Sequence, residues 1–321
     1  MLRKACWLLV GIFCVAFVSV QASAQETLWE EHMAAATKAY QQGRYAEAEK
    51  SWQSAVKKAE VGFGPEDQRV FLSLSRLVDL YHVQGRFTEA VPLAKRSLVI
   101  VEKIMGSEHP LVATRLNNLA LLYTAQGKYA EAEPLYKQSL AIREKVLGPE
   151  HPNVASSLNN LALLYQVQGQ YAQAEPLNKR SLTIMEKALG PEHPNVASSL
   201  NNLALLYDTQ GQYAKAEPLN KRSLAIYEKA LGPEHPQVAK SLNNLAKLYY
   251  AQGKYAEAEP LFKRALAIWE KALGPEHPDL AQSLENYAQL LRKTNREAEA
   301  AKLETRAKAI RAKHARENPA K

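Results

Sequence analysis

The stretch that decides the fold is LNNLALLYQVQGQYAQAEPL, residues 158–177, which returns 42 residues later, at 200–219, as LNNLALLYDTQGQYAKAEPL. The same interval separates two series of glycines on either side of these stretches. One series is Gly64, Gly106, Gly148, Gly190, Gly232 and Gly274; the other is Gly43, Gly85, Gly127, Gly169, Gly211 and Gly253, with Asn295 at the next position. Because glycine commonly closes a helix, two glycines per period predict two helices per repeat.

The first helix of each repeat is predicted to begin at a Glu-His-Pro sequence such as 150–152. Proline suits the first helical position, where its missing N–H is not needed. Val112, Leu116, Leu119 and Tyr123 then recur at helical spacing, which indicates one apolar stripe that packs against a partner helix. The helix is expected to end before Gly127.

The second helix is predicted from Tyr129 to Leu147, with one face formed by Ala132, Leu135, Ser139 and Ile142. The same register places Ala300, Leu303, Ala307 and Ile310 on one face near the C-terminus. We therefore expect the basic C-terminal segment to be the second helix of a seventh repeat, with a charged outer face that caps the array.

The domain organisation follows from these registers. Seven repeats, centred on Gly43, Gly85, Gly127, Gly169, Gly211, Gly253 and Asn295, account for residues 25–315 and leave a short tail at 316–321. Each repeat buries its apolar stripe only against its neighbours, so the pattern predicts one elongated array.

The N-terminus has the features of a secretory signal peptide. Arg3 and Lys4 precede an apolar run over 5–20, and Ala22-Ser23-Ala24 provides the small residues of a cleavage site. We predict a signal peptide over 1–24, cleavage after Ala24 and an exported chain, periplasmic or secreted; an uncleaved membrane anchor is the alternative. The only two cysteines lie in this segment, so the mature chain is predicted to form no disulfide.

The charge is concentrated at one end of the chain. The formal net charge is +8, yet residues 292–321 alone hold ten basic and four acidic residues. With the basic signal segment also removed, the body is formally neutral. No pattern of interleaved aromatic and basic residues appears, so we predict no nucleic-acid partner.

The repeated string, from Leu-Asn-Asn-Leu-Ala through Gln-Gly-x-Tyr-Ala to Ala-Glu-Pro-Leu, resembles the tetratricopeptide repeat. The 42-residue period with Gly-Pro-Glu-His-Pro connectors is similar to its kinesin-light-chain-type variant. The resemblance implies an all-α fold, a right-handed α-solenoid in which first helices line a concave face and bind peptides or partner proteins. It also implies that an asparagine near the middle of each first helix contacts the ligand backbone. The matching positions are Asn118, Asn160, Asn202, Asn244 and Asn286, with Arg76 at the same place in the second repeat.

An amide offers both a donor and an acceptor, which suits the backbone of an extended peptide. The alternative is that these amides are solvated or bond locally. The preceding column, Asn117, Asn159, Asn201 and Asn243, is expected to bond at the helix interface.

One first helix departs from its neighbours. Lys240, Lys247 and Tyr250 lie at helical spacing around Asn244, where other repeats have serine, leucine and various polar residues. They are candidates for recognising an anionic or carboxylate group on the partner, or form a solvated helix face. Arg292 and Lys293 extend the basic character along the chain.

The predicted function is a non-catalytic scaffold that binds a peptide or protein segment in the groove. No phosphate-binding loop, HExxH sequence or nucleophile elbow occurs, and the repeated histidines beside proline are expected to start helices, not to bind metal. We expect no catalytic residue, no cofactor and no metal site. The alternative is a structural spacer whose basic C-terminal helix contacts anionic lipid or polymer.

Overall fold

The computed structural model of the chain describes Ser23 and residues 25–317, apart from the side chains of 278, 279 and 315–317. The predicted signal peptide therefore lies outside the described residues except for Ser23. All the regular structure within the described residues is helical, as the repeat pattern predicted.

The described helices form seven consecutive pairs, each with a first helix and a second helix. The bounds are α1 (25–41), α2 (Tyr45–Phe63), α3 (Gln68–Val83), α4 (Phe87–Met105), α5 (Pro110–Ala125), α6 (Tyr129–Leu147), α7 (Pro152–Val167), α8 (Tyr171–Leu189), α9 (Pro194–Thr209), α10 (Tyr213–Leu231), α11 (Pro236–Ala251), α12 (Tyr255–Leu273), α13 (Pro278–Lys293) and α14 (Glu297–Glu317). The expected bounds of the helices on either side of Gly127 are confirmed. The last helix continues to Glu317, two residues beyond the predicted end of the array.

The connectors between repeats begin each first helix with a side-chain cap. In four connectors the Nδ1 atom of a histidine accepts a hydrogen bond from the backbone N–H two residues later, at 3.0–3.1 Å; these histidines are His109, His151, His193 and His235. The cap satisfies one of the free N–H groups at the start of a helix, and proline at the next position needs no partner. The expected role of these histidines at helix starts is confirmed.

Removing one histidine cap should measurably destabilise the array. We expect His151→Ala to lower the free energy of unfolding by about 1 kcal/mol, because the N–H of Asn153 loses its acceptor. His151→Asp should retain most of the stability, since Asp67 performs the same role before α3 by accepting from the N–H of Arg69 at 2.8 Å. Urea unfolding followed by circular dichroism distinguishes the variants. Equal losses for alanine and aspartate would show that the cap is unimportant.

The turn inside each pair requires a left-handed residue. Gly169 has φ +74°, and Asn295 takes φ +60° at the same place in the last pair. Asparagine is one of the few residues other than glycine that adopt this conformation at small cost. The substitution at 295 is therefore compatible with the repeat, as the register predicted.

The chain divides into two compact units, and the boundary falls inside α6 between Ile142 and Arg143. Unit 1 ends at Ile142 and has a core that includes Phe71, Leu74, Ile100 and Leu116. Ser139 donates to the carbonyl of Ala113 at 2.7 Å, so a small polar residue permits close approach of α6 to α5.

Unit 2 begins at Arg143, and its helix pairs are joined by a repeated arginine contact. An arginine of each second helix donates to the proline carbonyl of the connector before its own repeat; the contacts are Arg180 to Pro149, Arg222 to Pro191, Arg264 to Pro233 and Arg306 to Pro275. The same guanidinium groups pair with a glutamate of the preceding second helix: Glu144, Glu186, Glu228 and Glu270, respectively. Each connector is thereby fixed to the next repeat.

On several second helices a glutamate accepts a hydrogen bond from a tyrosine hydroxyl of the following first helix. In unit 2 these pairs are Tyr207 with Glu175, Tyr249 with Glu217 and Tyr287 with Glu259. Glu259 also accepts from Arg296 at 2.7 Å and pairs with Lys263 at 2.8 Å. These interactions lower the pKa of the Glu259 carboxyl from 4.5 to about 2, and the hydrogen bond from Lys263 has the largest effect.

The depressed pKa of Glu259 predicts a specific dependence of stability on pH. Its contribution is fully present above pH 4.5 and is lost as the pH falls through about 2, because the unfolded carboxylate takes up a proton first. We expect Glu259→Gln to be less stable than wild type by about 2 kcal/mol at pH 7. The difference should shrink towards zero near pH 2. Urea midpoints over this range test it, with the exposed Glu257→Gln as control; a difference that does not change with pH would contradict it.

Candidate partner-binding face

The exposed side of each first helix is a narrow stripe with helical spacing. On α9 it consists of Asn195, Ser198, Asn202, Leu205 and Thr209, all exposed. The flanking positions Leu200, Leu203 and Leu206 are buried. We call the set of such stripes the first-helix face. In unit 2, α7 contacts α9 and α11 contacts α13, so neighbouring stripes adjoin one another.

The predicted asparagine ladder lies on this face, but its members are not equivalent. Asn202 and Arg76 are exposed, whereas Asn118, Asn160, Asn244 and Asn286 are half-buried. Asn286 donates to the Oδ1 atom of Asn243 at 3.3 Å and accepts from Gln282 at 3.2 Å. Within the described residues the side chains of Asn118, Asn202 and Asn244 make no hydrogen bond. These three amides are therefore available to a ligand, and that of Asn286 is already engaged.

The preceding asparagine column bonds between repeats, as expected. Asn159 donates to Ser199 at 3.4 Å and Asn201 to Ser241 at 3.3 Å, while Ser283 donates to Asn243 at 3.2 Å. The Oδ1 atoms of Asn159 and Asn201 are buried without a partner in the part of the chain that the structure describes. Their donors hold successive first helices together, and their acceptors remain unused.

The predicted basic stretch on α11 contains an acidic neighbour that the sequence pattern did not indicate. Lys240 and Lys247 are exposed, and Tyr250 packs its ring against Tyr255 with centroids 5.6 Å apart. Burial raises the pKa of Asp208, and the positive charge of Lys247 partly offsets that rise. Around Lys247 the surface therefore carries charges of both signs.

Farther along the first-helix face, Arg292 is not free to bind a partner. Its guanidinium pairs with Glu297 and with Glu304, the latter at 2.9 Å. Arg292, which was predicted to extend the basic stretch, is therefore paired with carboxylates of the protein itself.

A polar recess lies in the floor of the face in unit 2. It has a volume of about 20 Å³, enough for about one water molecule, and is lined by Asn201, Leu205, Asp208, Asn220, Asn244 and Lys247. Asn220 comes from α10 and is only 4% exposed. Other second helices have aromatic residues at this register, namely Tyr136 and Phe262, each 1% exposed. Asn220 therefore stands where these two repeats place a buried ring.

Apolar side chains on the face adjoin the amides. Leu163 and Leu205, at equivalent positions of α7 and α9, are 43% and 44% exposed, and Val167 on α7 is 48% exposed. The first-helix face of unit 2 thus combines apolar contacts with free amides, the combination expected of a surface that binds a peptide.

Unit 1 has its own groove, with a volume of about 210 Å³. It is lined by Val78, Asp79, His82, Asn118, Leu121 and Leu122. Two of its lining residues, Asp79 and His82, are ionisable and were not singled out by the repeat pattern. Asn118 is the ladder residue in this groove.

None of the helices described here is both long and apolar enough to cross a bilayer. Among the same residues, no three histidine, cysteine, aspartate or glutamate side chains are grouped to hold a metal ion.

The chain matches known repeat families along most of its length. The tetratricopeptide repeat model matches residues 69–145, 116–186, 153–229, 209–268 and 237–313, and a second model with the same description matches residues 33–104. The chain belongs to the tetratricopeptide repeat family. Tetratricopeptide repeats are generally protein–protein interaction scaffolds that bind proteins or peptides, and their members are generally not catalytic.

Solved structures include similar tetratricopeptide repeat (TPR) proteins of the kinesin-light-chain type. A putative kinesin light chain with nearly identical TPR-like repeats from Podosopora anserina is 35% identical, with a TM-score of 0.54, over 63% of this chain and 96% of that one. BtubC (BKLC) from P. vanneervenii is 26% identical, with a TM-score of 0.58, over 75% of this chain and 92% of that one. The apo form of RapI has a TM-score of 0.67 over 90% of this chain and 99% of its own, but at 17% identity this shows the fold alone. No curated protein matches the chain.

Proposed function

We propose that this TPR protein is an exported, non-catalytic scaffold that holds an extended segment of a partner protein on its first-helix face. The observation that carries the proposal is the state of the ladder amides. In unit 2, Asn202 and Asn244 lie on the face without hydrogen bonds to other described residues, and an extended backbone supplies both donors and acceptors. Leu163 and Leu205 provide apolar contacts beside them.

Selection of a displayed peptide library against the mature chain, residues 25–321, tests this proposal. We expect Asn202→Ala with Asn244→Ala to weaken a selected segment roughly 30-fold, at about 1 kcal/mol for each lost hydrogen bond. Gln138→Ala with Gln173→Ala is the matched control, because both glutamines are exposed on second helices. If the control pair weakens binding as much as the asparagine pair, or the asparagine pair has no effect, the face is not the binding surface.

The spacer alternative has less support from the contacts. Several cations in and beside the last helix pair form ion pairs within the protein: Arg296 pairs with Glu259, Arg306 with Glu270, Arg311 with Glu285 and Lys313 with Glu276. Cations held in this way are less available to anionic lipid or polymer. We therefore favour the first-helix face as the functional surface.

Export is the part of the proposal that rests on the N-terminal sequence. Arg3, the apolar run that follows it and Ala24 support a cleaved signal peptide. Fractionation of cells expressing the full chain, with N-terminal sequencing of the exported product, tests it. A chain that keeps its first 24 residues and stays in the cytosol would contradict it.

A further inference from the structure

Unit 1 differs from the other repeats at a cluster of ionisable residues on its first helices α3 and α5. Arg115 occupies the position of a buried serine in other repeats: Ser73, Ser157, Ser199, Ser241 and Ser283, each no more than 1% exposed. Arg76 replaces a ladder asparagine, and Asp79 replaces the leucine of the next three repeats. Three charged groups thus converge on α3 and α5, where the repeat specifies neutral residues.

The residue that pairs with position 115 also differs from the repeat pattern. In unit 2 a ladder-adjacent asparagine bonds the serine 40 residues later, as in the pair Asn159 and Ser199. The corresponding pair in unit 1 is Ser75 and Arg115, so the shorter residue stands opposite the longer one. Ser75 instead donates a hydrogen bond to the backbone carbonyl of Phe71 at 2.8 Å. This reciprocal change accommodates a guanidinium group between the two first helices.

The guanidinium of Arg115 is held in place without a polar partner. It lies over the ring of Phe71, with 5.1 Å between Cζ and the ring centroid. Its Nε atom is buried and donates to no group in the described part of the chain. Burial lowers the pKa of Arg115, and the nearby charge of Arg76 lowers it further against the effect of Asp79. A buried charged donor without an acceptor is costly unless a ligand supplies one.

The charge balance around this donor favours an anion. Arg76, Asp79 and Arg115 make no ion pair within the described residues, whereas Arg96 of α4 pairs with Glu60 at 2.5 Å. Two guanidinium groups therefore face one carboxylate. A planar guanidinium matches a carboxylate in geometry and donates two bonds to it. Asp79 disfavours a dianion such as phosphate more strongly than a single carboxylate.

We infer that Arg76 and Arg115 form a second recognition site in unit 1, for an acidic side chain of a partner segment. Asp79, whose carboxylate interacts electrostatically with both arginines, lines the groove with Val78 and Leu121, so the stem of the bound side chain is placed there. The inference rests on the proposed function and adds the chemistry of one partner residue. It places the acidic preference on unit 1 and not on the mixed surface around Lys247.

Nuclear magnetic resonance of the mature chain tests the inference through the Nε–H signals of arginine. The probe is the capped peptide acetyl-Leu-Glu-Leu-amide, compared with acetyl-Leu-Gln-Leu-amide and with inorganic phosphate. We expect the glutamate peptide to shift the signals of Arg76 and Arg115 and to bind about tenfold more tightly than the glutamine peptide. Equal binding of the two peptides, or tighter binding of phosphate, would overturn the assignment. So would tighter binding of acetyl-Leu-Gln-Leu with a free C-terminal carboxylate.

Four variants separate a loss of binding from a loss of folding. Arg115→Ser, and the double variant Ser75→Asn with Arg115→Ser that rebuilds the pair of the other repeats, should both lose the preference for glutamate. Arg96→Gln removes an equal charge from an ion pair outside the groove and should keep it. Asp79→Leu should tighten binding several-fold; weaker binding in this variant would overturn the proposed anion site.

Failure of this inference is distinguishable from failure of the proposed function. The displayed-segment experiment depends on Asn202 and Asn244 in unit 2, whereas the peptide titration reads only Arg76 and Arg115 in unit 1. A selected segment that needs the asparagines, with no preference for the glutamate peptide, would refute the arginine site alone. If the chain prefers the glutamate peptide but the asparagine variants bind selected segments as well as wild type does, only the proposed contact of the asparagines with the peptide is refuted.

Discussion

Replacing Phe262 with asparagine is expected to lower the free energy of unfolding by about 4 kcal/mol. The ring is 1% exposed and stacks near Tyr287, with centroids 6.1 Å apart. Truncating a buried phenylalanine removes its packing, which is typically worth about 3–5 kcal/mol, and the amide adds a polar group without a designed partner. Asn178 and Asn220 show that the register does admit asparagine elsewhere in the chain.

Urea unfolding with circular dichroism measures this loss, and hydrogen exchange locates it. We expect the exchange of α12 and α13 amides to accelerate, because the ring bridges these helices. Phe262→Leu is the control and should lose less than half as much stability, since it keeps an apolar side chain. Losses below 1 kcal/mol for both variants would show that the ring contributes little to the core.

The fold could be predicted from the sequence because its signals are local and repeated. Pro152 with its preceding histidine fixes a helix start, and Gly169 fixes the following turn through a conformation that few residues adopt. The apolar stripe between them repeats in register with its neighbours. Asn295 shows that the register remains informative even where the residue changes.

The site could be predicted only in part, because its properties depend on contacts between repeats. The ladder positions followed from the family resemblance, but the engagement of Asn286 by Asn243 did not. Lys247 was predicted as part of a basic patch, since Asp208 lies 39 residues away in sequence and its proximity depends on how α9 and α11 pack. Comparing each repeat with its siblings would have found Arg115, which breaks a column of serines.

Replacing Asn220 with phenylalanine is expected to raise the free energy of unfolding by about 2 kcal/mol. The side chain is 4% exposed and makes no hydrogen bond within the described residues, so removing the amide loses little. Phe262 shows that a phenyl ring at this register is buried in a sibling repeat, so the new ring would bury apolar surface worth about 1.5–3 kcal/mol. Asn220→Ala, which removes the amide without filling the recess, should change the stability much less.

Binding measurements on Asn220→Phe test whether this asparagine serves function, because its side chain makes no hydrogen bond within the described residues. A ring at this position would close the recess beneath Asn244 and Asp208, so the binding of a selected partner segment should weaken although the fold is stronger. Natural sequences depart from their own structural pattern chiefly at sites that serve function. A variant that gains stability and binds the segment as well as wild type would show that the recess has no part in recognition. Weakened binding in Asn220→Phe but not in Asn220→Ala would identify the open recess itself as the feature that the partner uses.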